Sequence, residues 1–135
     1  MISSGPLEDR MAIRELVESY NDAVMRMDGE AWAENWTDDG IWDLGRGALE
    51  GKDVFYPAWQ EAMSAFSFVG FFASAGPIVV DGDTAHATWY QQEFLHQKDG
   101  GKMKVTGQYE DDYVKQGGRW YFKKRVYNVL NAEAD

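Results

Sequence analysis

The chain has 135 residues, with 13 Lys and Arg against 23 Asp and Glu, for a formal net charge of −10. That balance argues against nucleic acid or an anionic membrane surface as a partner, because both are bound by an excess of cations. Cysteine is absent, which removes disulfides and thiol chemistry and suits a reducing cytoplasm. Hydrophobic residues make up 44% and charged residues 27%, an ordinary globular balance, and the length suits one domain over residues 1–135. The opening MISSGPLEDR lacks a basic segment followed by an apolar run, so no signal peptide is expected. The longest apolar run, Phe66–Phe72, is too short to span a bilayer. Aromatic residues reach 15%, with six Trp, which in a small chain means a bulky core or an apolar cavity.

From Glu8 to Met27 the apolar positions are Ile13, Leu16, Val17, Tyr20, Val24 and Met27. This is the recurrence of one buried helical face. Gly5-Pro6 sets the start of that helix, and Asp28-Gly29 is expected to end it. A short second helix is predicted over Glu30–Trp36, followed by a turn at Thr37-Asp38-Asp39-Gly40 and a brief strand at Ile41–Leu44. A third helix over about Lys52–Ala65 shows Phe55, Trp59 and Met63 on one face. From there the period changes to two. Four long strands are predicted, at about Val69–Val80, Thr84–Gln97, Lys102–Lys115 and Arg119–Leu130. Their connectors, Asp81-Gly82-Asp83, Asp99-Gly100-Gly101 and Gly117-Gly118, are hairpin turns. The fold class is therefore α+β, with a curved sheet around the long first helix and two shorter ones.

The order of elements, with the text AIRELVESYNDAVMRMDGEAWAENWTDDGIWDLGRGALEG, IVVDGDTAHA and GQYEDDYVKQGGRW, resembles the nuclear transport factor two-like superfamily. Within it, the chain is similar to the SnoaL-like polyketide cyclases and dehydratases. The resemblance implies a cone-shaped α+β barrel with a pocket at its open end, and often a homodimer formed through the sheet. It implies no single activity. The dehydratase and dehydrochlorinase relatives use an Asp–His dyad for proton abstraction. Those positions fall on Met25 and on or near Phe71, and no His occurs from Met1 to Ala85, so the dyad does not carry over. The steroid isomerase relatives use a helix-one Tyr, a proton-donating acid and a carboxylate base. Tyr20 fits the first, Glu110 falls near the second, and the third falls at Leu44, beside Asp43.

The strands set the expected polarity of the pocket. In Thr84–Gln97 the small Ala85 and Ala87 let a helix approach, so their face, with Trp89, Gln91, Glu93 and Leu95, is assigned inward. His86 and His96 then point outward and lack metal-ligand spacing. In the last strand Trp120, Phe122, Val126, Asn128 and Leu130 are expected inward, and Arg119, Tyr121, Lys123, Arg125 and Tyr127 outward. Glu93 is the first candidate for a general acid or base, because a carboxylate under an aromatic lid has a raised pKa unless paired. The bland alternative is an ion pair with Lys104, Lys124 or Arg125. Tyr20 and Asn128 are expected to polarise a substrate oxygen, with the alternative that Tyr20 is a core tyrosine. Asn21, Met25, Gln91, Gln108 and Glu110 are candidate polar or flexible contacts. Trp36, Trp42, Trp59, Met63, Phe71 and Trp89 are candidate apolar walls, each of which could instead be plain core.

Two classes of function fit these residues. One is a cofactor-independent isomerase, dehydratase or cyclase acting by proton transfer on an apolar cyclic or polyketide-like molecule. The other is a non-catalytic ligand-binding or dimeric interaction module of the same fold, with a cavity that its own Trp side chains could fill. The outer residues Thr88, Tyr90, Gln92 and Phe94 are expected to form a homodimer face.

Overall fold

A computed structural model describes residues 1–134. Helix α1 (Leu7–Arg26) opens after Pro6, carries Glu8 and Asp9 in its first turn and ends on Met27 in the left-handed conformation, φ 52°. Acids suit the positive end of the helix dipole. Its buried face is Ile13, Leu16, Val17, Tyr20, Ala23 and Val24, while Met27 lies outside that face. Asp28, expected only to stop this helix, caps the next one, α2 (Gly29–Ala33), by accepting from the backbone N–H of Ala31 at 3.1 Å. Helix α2 is shorter than its sequence pattern predicts, because Trp36 begins strand β1 (Trp36–Asp43). The expected turn at Thr37–Gly40 lies inside β1, as a break in pairing between Trp36 and Ile41. Strand β2 (Ala48–Glu50) and helix α3 (Lys52–Met63) follow.

The four long strands are β3 (Phe66–Asp81), β4 (Thr84–Gln97), β5 (Lys102–Gln116) and β6 (Arg119–Ala134). They meander antiparallel and join β1 and β2 in one six-stranded sheet of order β2-β1-β6-β5-β4-β3. The β1–β6 pairing is parallel, which makes the sheet mixed. Strands β2 and β3 remain edges, so the sheet does not close into a barrel. Helix α1 packs on the inner face, against β3 and β6. Among the described residues, no helix is long and apolar enough to cross a membrane.

The floor of the core is aromatic. Trp32 stacks on Trp59 with ring centroids 4.6 Å apart. Trp36 packs on Phe55 at 4.6 Å and on Phe122 at 5.4 Å.

Strand polarity decides what reaches the interior. In β4 the buried residues are Ala85, Ala87, Trp89 and Gln91, the face assigned inward from the sequence. In β5 the buried set is Val105, Gly107, Tyr109, Asp111 and Tyr113. Strand β6 departs from strict alternation. Its pairing runs from Tyr113↔Phe122 to Asp112↔Lys124, so Lys123 is an extra residue on β6. Such a bulge shifts every later side chain to the other face. Arg125 and Tyr127, expected outward, are buried, and Asn128 and Leu130, expected inward, are exposed. Val126, also expected inward, falls on the outer side with them. Lys123 itself reaches Asp39 in the irregular part of β1, at 2.6 Å. The ring of the turned Tyr127 lies over Gly107, where a methyl group would overlap it.

Candidate active site

The inner face of the sheet, the C-terminal half of α1 and helix α3 enclose a cavity of about 430 Å³, within the usual range for small-molecule sites. Tyr20 and Val24 of α1 form one side, and Trp59, Ala62 and Met63 of α3 another. Phe66, Val69 and Phe71 of β3, Glu93 and Leu95 of β4 and Tyr109 of β5 form the sheet wall. Tyr127 and Val129 of β6, with Trp42, Leu44 and Arg46 from β1 and the loop after it, complete the lining.

Glu93 is the one carboxylate among these lining residues. It stands two residues beyond Gln91, so the period of β4 turns it inward. Among the described residues it forms no ion pair, and the three cations considered for it are placed elsewhere. Lys104 and Lys124 belong to the outer face, and Arg125 is bound to Asp111. Burial raises the Glu93 pKa from 4.5 to about 7, and the neighbouring Gln91 amide pulls it back only in part. The folded protein therefore holds this proton to higher pH than the unfolded chain does. Folding stability is greatest below 4.5 on this account and falls as the pH rises from there through about 7.

Three phenols share the cavity with this carboxyl. Tyr109 lies 6.5 Å from Tyr20 and 4.9 Å from Tyr127, centroid to centroid. Burial pushes the pKa of each above its ordinary value, so all three stay protonated and can donate hydrogen bonds. The Tyr127 hydroxyl donates to Oε1 of Gln91 at 3.3 Å.

Beneath the phenols lies a buried ionic network. Arg125 donates from Nε to Oδ1 of Asp111 at 2.8 Å and from Nη2 to Oδ2 at 3.1 Å. Both side chains are fully buried. The guanidinium also stacks on Tyr109 at 3.7 Å and faces Tyr20 at 4.5 Å. The Tyr113 hydroxyl donates to Asp111 and accepts from Nε1 of Trp89. Burial pushes the Asp111 pKa up, and the Arg125 charge opposes that rise. With its counter-charge in bidentate contact, Asp111 remains the anion of the pair.

The structure separates the residues singled out from the sequence by position. Tyr20, Trp42, Trp59, Met63, Phe71 and Glu93 line the cavity. Gln91 sits behind that wall, bonded to Tyr127. Trp36 and Trp89 are buried in the core and do not line it. Asn21 is half-buried and Met25 is 38% exposed, and neither lines it. The Met25 sulfur accepts from the backbone N–H of Phe71 at 3.1 Å, so the two positions aligned with the Asp–His dyad do meet in space. Gln108, Glu110 and Asn128 are on the outer face. Gln108 pairs across the strands with Asn128. Glu110 accepts from the Thr88 hydroxyl at 2.9 Å and faces His86 at 3.2 Å. Their side chains are turned away because the inward partners on β5 are Tyr109 and Asp111. Asp43, next to the expected base position, accepts from the Gly45 backbone at 2.8 Å, while Leu44 lines the cavity. Sequence reasoning missed Tyr109, Tyr127 and Arg46. The Lys123-Lys124 doublet, which breaks the alternation of β6, was the available signal for Tyr127.

The family model for the SnoaL-like domain matches residues 5–126. The chain belongs to the SnoaL-like domain family. No curated protein matches it in sequence. Among solved structures, this SnoaL-like domain is similar to a protein assigned as an aromatic ring hydroxylase from Novosphingobium aromaticivorans. That match has a TM-score of 0.90 and 23% identity, over 98% of this chain and 96% of that one. It is also similar to the hexachlorocyclohexane dehydrochlorinase LinA type 2, with a TM-score of 0.87 and 16% identity, over 96% of this chain and 90% of that one. A protein assigned as a scytalone dehydratase from the same Novosphingobium species gives a TM-score of 0.86 and 20% identity, over 94% and 87% of the two chains. At these identities the likeness concerns the fold.

The buried pair yields a direct expectation. Arg125→Met leaves the Asp111 carboxylate without its counter-charge and should cost about 3–5 kcal/mol in urea denaturation. Adding Asp111→Leu should recover most of that loss, because no charge then remains buried. Equal losses in the single and double variants would show that the pair is not what holds this layer.

Proposed function

We propose that this SnoaL-like domain is a cofactor-independent enzyme that moves a proton on an apolar cyclic or polyketide-like molecule, in an isomerisation, dehydration or cyclisation. The observation that carries this reading is one unpaired carboxyl, with a pKa of about 7, opening into an apolar cavity beside three protonated phenols. A group that is half ionised near neutrality serves equally as base and acid. In the proposed step Glu93, as carboxylate, takes a hydrogen from the carbon next to a carbonyl. The electron pair of that C–H bond moves to the carbonyl oxygen, giving an enolate. Tyr20 and Tyr109 are the donors available to that oxygen, the Tyr127 hydrogen being given to Gln91, and such preplaced donors are strongest where water is excluded. As the enolate re-forms the carbonyl, its electrons either take the Glu93 proton at another, conjugated carbon, completing an isomerisation, or break the C–O bond at the neighbouring carbon, the departing hydroxyl taking the Glu93 proton and leaving as water. Asn128, on the outer face, has no part in this scheme.

Hydrogen exchange tests the reading without knowledge of the natural substrate. Incubated in D2O with 2-tetralone or 1-indanone, the protein should catalyse exchange of the hydrogens beside the carbonyl. Glu93→Gln should slow that exchange by about 100-fold or more, while the ketone still quenches the fluorescence of Trp42 and Trp59. Unchanged exchange in the variant would remove Glu93 from the chemistry. Ketone binding without exchange in the parent protein would favour the non-catalytic binding module.

We further propose a homodimer formed through the outer face of β3 and β4. Phe68, Phe72 and Tyr90 are 45%, 57% and 47% exposed there, and Phe94 packs edge-on against Phe72. A contiguous aromatic patch of this kind is typical of an interaction surface. Light scattering at micromolar concentration should give twice the chain mass of 15.4 kDa for the parent and the single mass for Phe72→Glu. A parent of single mass contradicts the dimer.

A further inference from the structure

The cavity beside Glu93 does not end at Leu95. A second hollow of about 590 Å³ shares Arg46, Phe66 and Leu95 with it and continues to Gln97 and Lys102. The first chamber is lined almost wholly by apolar and aromatic side chains, whereas the second opens between two cations. Among the described residues, neither Arg46 nor Lys102 forms an ion pair. Of the acids near these two cations, Asp43 and Asp99 accept from backbone N–H groups. Glu133 pairs across the strands with outward-facing Lys104. The loop that carries Arg46 takes its shape from its neighbours. Glycines with φ of 82° and 121° flank it, and the Asp43 carboxylate ties down the Gly45 N–H. In a chain of net charge −10, two unpaired cations at one opening run against the surrounding field.

We infer that the ligand of this site is an amphipathic carboxylate, whose ring system fills the chamber beside Glu93 and whose carboxylate arm runs past Leu95 to lie between Arg46 and Lys102. This rests on the reading of the Glu93 cavity as the ligand site. The orientation follows from charge. A ligand carboxylate placed deep would meet Glu93, a like charge in a dry setting, at a cost far above that in water. The one buried cation nearby, Arg125, is already matched by Asp111. Among the described residues, the cations without an ion pair that line this cavity or a hollow adjoining it are Arg46, Lys102 and Lys98, and of these Arg46 and Lys102 line the hollow beyond Leu95. The strand sets the length. Successive same-face residues on a strand are about 6.8 Å apart, so Gln97 lies about 13 Å beyond Glu93 along β4. The carboxylate therefore belongs at about that distance from the reacting carbon.

Calorimetric titration with a matched pair of probes decides the matter: 6-(naphthalen-2-yl)hexanoic acid and its methyl ester. The parent protein should bind the acid at least tenfold more tightly than the ester, and raising the salt concentration should weaken the acid alone. In Arg46→Gln/Lys102→Gln the two probes should bind alike. Equal binding of acid and ester by the parent, or a preference for the acid that survives in the double variant, overturns the inference while leaving the cavity reading intact. Failure of both probes to bind the parent overturns both together.

Discussion

Arg125 has no access to water, and a guanidinium in that position must face a carboxylate. Among the described residues its partner is Asp111, which is equally buried. Leaving either charge alone would cost several kcal/mol, more than most single contacts contribute. That requirement fixes the inner faces of two strands at once. Asp111 inward brings Val105, Gly107, Tyr109 and Tyr113 inward with it, and puts Gln108 and Glu110 outside. Arg125 inward brings Tyr127 and Val129 to the cavity. The extra residue at Lys123 is what allows Phe122 and Arg125 to be buried on the same strand. The pair is thus the floor on which the phenols stand, and its internal charge balance leaves the cavity above it electrically quiet.

That quiet gives Glu93 its character. A carboxylate in water, or beside an unpaired cation, would be an ordinary anion at neutral pH. Here desolvation dominates, and Arg125, the buried cation of the network below, is already matched by Asp111. The same apolar lining that raises this carboxyl keeps the surrounding phenols protonated. A group poised between acid and base, next to fixed donors, is what enolate chemistry requires. The likeness to a dehydrochlorinase and to proteins assigned as a hydroxylase and a dehydratase extends over most of the chain. One fold supports many reactions, so the chemistry has to be argued from the side chains that line this particular cavity.

Much of this arrangement was legible in the sequence, and the limits have physical causes. The stripe on α1 from Ile13 to Val24 and the β4 face from Ala85 to Leu95 follow strict periods, and both were read correctly. Glu93 was found because β4 carries no bulge against β5, so its alternation holds from end to end. Strand β6 was misread beyond Phe122, because one inserted residue inverts a period-two pattern without changing composition. Only the Lys123-Lys124 doublet marked the place. On β5 the sequence offers the outer Gln108 and Glu110 as pocket contacts, because a buried ion pair and its tyrosine neighbours make the inner face as polar as the outer one. Trp36 and Trp89 were placed at the cavity because a buried tryptophan looks the same in sequence whether it meets a ligand or another ring.

The account depends most directly on the ionisation of one side chain. With carbon-13-labelled glutamate, the Glu93 carboxyl can be followed by NMR across a pH titration and assigned by its loss in Glu93→Gln. A midpoint near 7 is the result expected from a lone carboxyl in a dry cavity. A midpoint at or below the ordinary value of 4.5 would mean that water or a cation reaches it, and the proton-transfer site described here would not exist.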